Sequence, residues 1–324
     1  MQRKVLDFVN RHTSIVLTTH EGPDADGIGA ELLFAHILRT MNKTVRIINM
    51  SPMPDRFAFM DPQGTMEVWD AEKHGDIPGQ SALIIVDTAD EFNTGGMIHI
   101  LPQFREVFVV DHHELARHSL LDGYIDPKAS STCEMIVELA ESWGIGPDLY
   151  SARAAFAGIS YDTGSFSYSK TSTRTLKAAL ILVEAGVVPY EIYGALNESA
   201  SISALLLQKQ VLSTLEIHAG GRVAVQILRK EDLESTGANF EDAESFINIP
   251  LKSKDILVSI LVKEKSEGVI RCSLRSKGQV NVSKIAQHFS GGGHVMAAGF
   301  KSAWGITETL AQVLKKVETM LDKI

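Results

Sequence analysis

The sequence predicts an α/β protein of two domains: a parallel-sheet N-terminal domain, a helical linker and a smaller α/β C-terminal domain. Three observations carry this. The 324 residues exceed what one hydrophobic core usually fills. In the first half, short apolar runs alternate with helical patterns, as the strands of a parallel sheet covered on both faces do. Beyond Gly220-Gly221 the texture changes, with strands following one another before helices return. A hydrophobic fraction of 44% and a charged fraction of 22% are those of an ordinary folded chain and exclude disorder and fibrous repeats.

Each element has a local reason. Ile15–Thr19 is a β-branched run ending at His20, followed by a Gly/Pro/Asp loop. A helix from Gly27 to Met41 then carries Ile28, Leu32, Leu33, Ala35 and Leu38 mostly at helical spacing. Thr44–Ile48, Ala82–Val86 and Val107–Val110 read as the next three strands. Thr132–Trp143 is helical behind the capping residues Ser130 and Ser131, as is Ser151–Ser160. Thr173–Ala185 stops at Gly186, a suitable residue just past a helix end. Tyr190–Leu196 and Ile202–Leu215 are helical and carry the chain away from the sheet. Val223–Leu228, Ile256–Val262, Val269–Leu274 and Ala297–Phe300 are strands, and Val282–His288 and Ile306–Leu321 are helices. The expected division is 1–190, a linker over 191–215, and 216–324.

Charge and composition narrow the function classes. Thirty-one Lys and Arg against forty Asp and Glu leave a net charge of −9, which disfavours general binding to long or duplex nucleic acid. Apolar runs such as Ala82–Val86 fall well below the roughly 18–20 residues needed to span a bilayer, so no membrane partner is expected. The N-terminus lacks an uninterrupted apolar stretch of the signal-peptide kind. Cys133 and Cys272 are too few and too far apart for a disulfide framework or a CxxC site. A reduced, cytoplasmic protein is expected.

The acids sit where chemistry is expected. Strand ends lead into His20 with Asp24 and Asp26, into Asp87, and into Asp111-His112-His113. In an open parallel sheet these ends share one edge, and ligands bind outside it. A single Asp after a strand also serves as the cap of the next helix, and Asp24 or Asp26 suits that role. Four Asp and three His on one edge, however, would raise one another's carboxylate pKa values unless cations were present. Asp162 follows a helix C-terminus, where a carboxylate is unfavourable by a few tenths to ~1 kcal/mol without a compensating cation. Alone it reads equally well as a turn residue in Asp162-Thr163-Gly164. Imidazoles with several carboxylates and no thiolate suit Mn²⁺ or Mg²⁺ ahead of Zn²⁺ or Co²⁺. The donors exceed what one ion needs, and the central Asp87 is placed to bridge two ions, a pairing suited to in-line displacement at phosphorus.

These residues resemble a known family. Thr19-His20-Glu21-Gly22-Pro23-Asp24-Ala25-Asp26-Gly27-Ile28-Gly29 resembles the first motif of the DHH phosphoesterase superfamily, and Val86-Asp87 the second. Val110-Asp111-His112-His113 resembles the motif that names the family, and Tyr161-Asp162-Thr163-Gly164-Ser165-Phe166 the fourth. Ser290 to Phe300, with Gly291-Gly292-Gly293-His294, resembles the glycine-rich signature of the DHH-associated C-terminal domain. The five motifs follow the family's order across nearly the whole chain. Size and layout are most similar to the stand-alone nano-RNase and pAp-phosphatase group, pAp being 3′-phosphoadenosine 5′-phosphate. The resemblance implies that His20, Asp24 and Asp87 hold one Mn²⁺ and that Asp26, Asp87, His112 and Asp162 hold the other, with Mg²⁺ or Co²⁺ as substitutes. It also implies that Asp111 orients a histidine and that His113 contacts the scissile phosphate. Two positions depart from the pattern: Ala30 stands where the first motif usually has Ser, and Glu114-Leu115-Ala116 replaces a small polar residue and Asn after the third.

The C-terminal half offers an anion-binding face. In Ile270–Arg275, strand alternation puts Arg271, Ser273 and Arg275 on one side, a set suited to gripping a phosphate or carboxylate. The same pattern also fits the solvated face of an edge strand. Gly291–Gly293 permits close backbone approach and can cradle an anion, or serve only as a tight turn. Residues 252–277 hold seven Lys and Arg against three Asp and Glu. Without interleaved aromatics this is no platform for long single strands.

The expected activity is Mn²⁺-dependent hydrolysis of short oligoribonucleotides, of pAp, or of both, by water activated at two ions. Cyclic or linear dinucleotides are the alternative substrates. An inorganic pyrophosphatase is less similar, because the resemblance would require an Arg-Lys cluster in place of Gly-Gly-Gly-His. A non-catalytic nucleotide-binding regulator fits poorly with an intact ligand set. The assembly state stays open, a homodimer included.

Overall fold

The computed structural model describes residues 2–113, 121–266 and 268–322. The chain divides into two compact units, Met1–Ser199 and Ala200–Ile324.

The first unit opens with helix α1 (Gln2–Arg11), β1 (Ser14–Thr18), α2 (Ala25–Thr40), β2 (Thr44–Asn49), β3 (Met66–Val68), the one-turn α3 (Ala71–His74), β4 (Ala82–Val86), β5 (Val107–Asp111) and β6 (Gly123–Ile125). Four helices follow: α4 (Thr132–Ser142), α5 (Leu149–Asp162), α6 (Thr173–Glu184) and α7 (Pro189–Asn197). The strands form one sheet in the order β3-β2-β1-β4-β5-β6, and every pairing is parallel. The order reverses between β1 and β4, the switch point at which ligands gather in open α/β sheets. Both three-residue strands, β3 and β6, escaped the sequence pattern because three residues carry no measurable period.

Alternate strand residues feed two cores. Ile15, Leu17, Ile84, Val86 and Val110 pack beneath the long helices. Val16, Leu83, Ile85 and Val109 face the other way, against Met97, Leu101 and Phe104. This second face is covered by short 3-10 turns over 91–103, not by long helices. Gly95, at φ 61°, kinks that segment and Pro102 opens the next turn, so neither stretch can propagate an α-helix.

The second unit comprises α8 (Ile202–Ser213), β7 (Glu216–His218), β8 (Val223–Leu228), α9 (Lys230–Thr236), β9 (Val258–Ser266), β10 (Val269–Ser276), α10 (Val282–His288), β11 (Gly292–Gly293), β12 (Ala297–Ser302) and α11 (Ile306–Leu321). Its sheet runs β11-β12-β10-β9-β8-β7. Only the β8–β9 pairing is parallel among the described residues. Val258, Ile260, Cys272, Leu274 and Phe300 pack on one face with Val313 and Val317 of α11. Leu228 and Leu261 form a smaller core on the other face with Leu207 and Val211 of α8 and Phe246.

The stretch expected as a linker thus contains two helices belonging to different cores: Ile192 of α7 is buried in the first unit and Leu207 of α8 in the second. Among the described residues no single helix is long and apolar enough to cross a membrane.

Candidate metal centre

The carboxyl ends of β1, β4 and β5 bring the predicted residues to one edge, as parallel pairing requires. Asp24 is the N-cap of α2, accepting from the N–H groups of Asp26 and Gly27 at 2.9 and 3.2 Å. Of the two capping candidates it is the one used. Asp26 is fully buried, and its carboxylate accepts from the N–H groups of Thr132 (2.6 Å) and Cys133 (3.0 Å) at the start of α4. Asp87 directly follows β4 with φ 62°, a left-handed conformation that Asp tolerates better than most residues. Its N–H still pairs with the Val110 carbonyl at 3.0 Å, so the chain turns immediately after its last sheet bond.

Asp162 arrives from another direction. It is the last residue of α5, and a close crossing of α2 and α5 delivers it. A Cβ on Gly29 would lie 2.5 Å from the Ala154 carbonyl, and one on Gly158 would lie 2.5 Å from Cys133 Sγ. Both helices need these glycines to approach so closely. Ala30, the departure noted in the first motif, is fully buried.

Three ligand clusters result, each with donor atoms within 4.8 Å of one another: His20 with Asp24 and Asp87, Asp26 with His112 and Asp162, and Asp87 with His112 and His113. Asp87 and His112 each belong to two of them. His20 Nε2 lies 3.8 Å from both Asp24 Oδ1 and Asp87 Oδ2. His112 Nε2 lies 3.1, 3.5 and 3.8 Å from oxygens of Asp162, Asp87 and Asp26. Donors held at roughly 2.1 Å on an octahedral ion stand about 3 Å apart in cis and about 4 Å in trans. The spacings fall in this range.

The site's chemistry supports a cation. Among the described residues the buried Nδ1 of His112 has no hydrogen-bond partner and Nε2 has only the misaligned Asp162 oxygen at 3.1 Å, a costly arrangement unless another group engages them. Burial, reinforced by the charges of Asp26, Asp24, Asp162 and Asp111, drives the Asp87 carboxyl well above its ordinary pKa. Burial likewise lifts Asp162 to about 6, with His112 pulling against it. Burial acts to lower His112, but the Asp162 and Asp26 carboxylates outweigh it and raise the imidazole. A buried group of acids holding one another's protons is the electrostatic conflict that divalent cations relieve, so the residues present fit metal binding.

His113 and Asp111 stand beside the clusters. Asp111 is buried, and one of its oxygens accepts from His113 Nδ1 at 2.8 Å and from the His113 N–H at 3.1 Å. The His113 side chain is 40% exposed, and the Asp111 carboxylate fixes the orientation of its ring. Glu114-Leu115-Ala116 lies outside the described residues.

Sequence reasoning missed the groups that hold these ligands. Thr132 Oγ1 donates to Asp87 Oδ1 at 2.9 Å. Buried Asn49 accepts from the Thr18 hydroxyl and the Thr19 N–H next to His20, and donates to Glu31. Neither contact has a local sequence signal, although the Ser-Ser-Thr start of α4 marks an unusually polar helix N-terminus.

The second unit presents the other predicted residues. Ile270, Cys272 and Leu274 are buried while Arg271, Ser273 and Arg275 are half-buried on the opposite face, which is therefore not a freely solvated edge. Strand register adds Ser259 and Lys263, paired with Arg275 and Arg271. Lys263 and Arg271 lie over the Phe240 ring at 5.1 and 5.9 Å. Gly292 and Gly293 form β11, and His294 closes the hairpin to Ala297 through bonds of 2.7 and 3.2 Å. A Cβ at Gly291 or Gly293 would collide with β12 backbone, so at these two positions glycine meets a packing need. Gly292 and His294 are exposed.

Comparison with known proteins agrees with this architecture. The DHH family, N-terminal domain, matches residues 14–160, and the DHHA1 domain matches residues 220–323. A bifunctional oligoribonuclease and PAP phosphatase of Thermus thermophilus is 29% identical over 88% of this chain and 83% of its own. A cyclic-di-AMP phosphodiesterase of Listeria monocytogenes is 26% identical over 98% of this chain and 48% of its own. An exopolyphosphatase-related protein of Bacteroides fragilis superposes with a TM-score of 0.92 at 26% identity, covering 99% of this chain and 97% of that one.

Proposed function

The chain is built from a DHH-family domain and a DHHA1 domain, and from that premise we propose that it is a metal-dependent phosphoesterase acting on short oligoribonucleotides and pAp. The observation that carries this reading is the set of adjoining donor clusters, His20 with Asp24 and Asp87, and Asp26 with His112 and Asp162, with Asp87 3.5 Å from His112 between them. The Thermus thermophilus relative, matched over most of both chains, bears a name with these two activities.

In this reading His20, Asp24 and Asp87 hold one divalent ion, and Asp26, Asp87, His112 and Asp162 hold the other. Such a pair, when bound, supplies Lewis-acid polarisation of phosphoryl oxygens and activation of water. Mn²⁺ suits the mixed imidazole and carboxylate set best, with Mg²⁺ or Co²⁺ as substitutes. His113, oriented by Asp111, is placed to donate a hydrogen bond to a phosphate oxygen of the substrate. Arg271, Ser273, Arg275, Gly291, Gly292, Gly293 and His294 recognise the nucleotide portion. Such substrates agree with a cytoplasmic location.

A turnover panel of pAp, two- to five-nucleotide RNA, pApA, pGpG, cyclic di-AMP and pyrophosphate with Mn²⁺ tests the proposal. Cleavage of pAp and short RNA is expected, with two ions bound per chain. No turnover of any of these would overturn it, and full activity with one tightly bound ion would overturn the two-metal part. A second reading, hydrolysis of cyclic or linear dinucleotides, is favoured by the Listeria relative matched over 98% of this chain. The same panel separates the two.

A further inference from the structure

We propose that Thr132 is a positioning residue of the metal centre, its hydroxyl holding Asp87 so that one carboxylate oxygen faces each set of ligands. The inference rests on reading the clusters as metal sites.

Thr132 is the first residue of α4 and is fully buried. Its hydroxyl is not needed by the helix, because Ser131 already caps it by accepting from the Glu134 N–H at 3.0 Å. It points instead across the sheet edge to Asp87 Oδ1, 2.9 Å away. Among the described residues this is the one hydrogen bond to the Asp87 carboxylate. The same Asp87 oxygen faces His112 Nε2 at 3.5 Å, while its other oxygen faces His20 Nε2 at 3.8 Å. The terminal torsion of an Asp side chain is soft and roughly two-fold. The Thr132 donor on one oxygen selects the rotation that divides the two oxygens between His20 and His112.

The surroundings make Thr132 a firm anchor. Its backbone N–H and that of Cys133 hold both oxygens of Asp26, so one helix end fixes a carboxylate of each proposed ion's ligand set. That helix end is pinned from behind by buried Glu134, whose Oε2 accepts from Ser130 at 2.6 Å and from Thr175 at 2.7 Å. A displacement of Thr132 would therefore have to disturb α6 as well.

The test compares full-length wild type with Thr132→Val and Thr132→Ser, each stripped of metal and titrated with Mn²⁺ alone by equilibrium dialysis. Substituting Co²⁺ allows its visible absorption to report ligand geometry. Valine keeps the shape and removes the donor; serine keeps the donor. Loss of an outer contact of this kind typically weakens metal affinity 10–100-fold. That loss is expected for Thr132→Val, with an altered Co²⁺ spectrum and a matching fall in kcat/KM, while Thr132→Ser restores both readouts. Wild-type Mn²⁺ affinity in Thr132→Val, or equal losses in the valine and serine variants, would overturn the proposal, the second result assigning the effect to methyl packing. If the valine variant does not fold, Thr132→Ala takes its place against the same serine control. Failure of wild type to bind Mn²⁺ would overturn the metal reading itself, and with it the proposed function.

Discussion

The acidic edge of the first unit and the cationic face of the second solve opposite electrostatic problems with different geometry. At the edge, Asp24 and Asp26 at the start of α2, Asp87 just past β4 and Asp111 of β5 meet because parallel strands end together, and Asp162 joins them from the end of α5. On the second sheet, Lys263, Arg271 and Arg275 share a face because side chains alternate and register aligns them. Burial raises the Asp87 carboxyl and lowers the Lys263 ammonium, in each case toward the neutral form. The edge therefore calls for cations and the face for anions. Convergence of strand ends gathers side chains from distant sequence, whereas a sheet face gathers them from neighbouring strands.

The largest effect is expected at Asp87. Asp87→Ala removes a donor common to two clusters and is expected to abolish turnover and disturb both bound ions, read by activity and by metal content. Asp111→Ala, which removes only the partner of His113, is expected to lower rate or metal affinity by roughly 10–100-fold. Equal and mild effects of the two changes would show that Asp87 does not bridge.

Arg275→Ala tests the cationic face. Loss of a charge-assisted contact of about 1.5–3 kcal/mol predicts a fall of about tenfold or more in kcat/KM for pAp. Hydrolysis of bis-p-nitrophenyl phosphate should persist if, as proposed, Arg275 serves substrate binding and not nucleophile activation. Parallel losses on both substrates would move Arg275 into the catalytic centre or the fold.

The smallest effects are in stability. Glu31, buried behind the acidic edge, is pushed up to about 8 by desolvation, against the Asn49 hydrogen bond and the His20 charge. A raised carboxyl binds its proton in the folded state while the unfolded chain has released it. Its contribution is therefore present below the ordinary value near 4.5 and is lost as pH climbs through about 8. Glu31→Gln should flatten that decline, leaving the metal-free variant more stable than wild type at pH 9 by about 1–3 kcal/mol in urea titrations. Lys263 has the opposite sign. Its pKa is lowered by burial, against the Glu244 charge, so the unfolded chain binds the extra proton and stability rises with pH toward the ordinary lysine range. Lys263→Met should remove that rise. A Glu31→Gln variant with an unchanged pH slope would mean that the carboxyl ionises normally within the fold.

Much of the site was legible before the fold was known. Apolar strand runs ending in His20, Asp87 and Asp111 predicted a parallel sheet with acids on one edge, because strand direction makes that edge common to all of them. The 270–275 alternation likewise placed Arg271, Ser273 and Arg275 opposite the core, since strand period is local. The three-residue strands and the 3-10 cover of the second sheet face were not legible: too few residues repeat to show a period. Asp162 was ambiguous in sequence because a turn aspartate has many uses. Only the crossing of α2 and α5 at Gly29 and Gly158 decides that it meets Asp26 and His112. Thr132 is the extreme case, 45 residues from Asp87 and indistinguishable in sequence from any helix-start threonine. Strand period, helix caps and chain direction depend on neighbouring residues, so the four longer strands of the first sheet, its acidic edge and the cationic face could be read locally. The orientation of each carboxylate depends on donors brought from distant helices by packing, and that only the tertiary structure could decide.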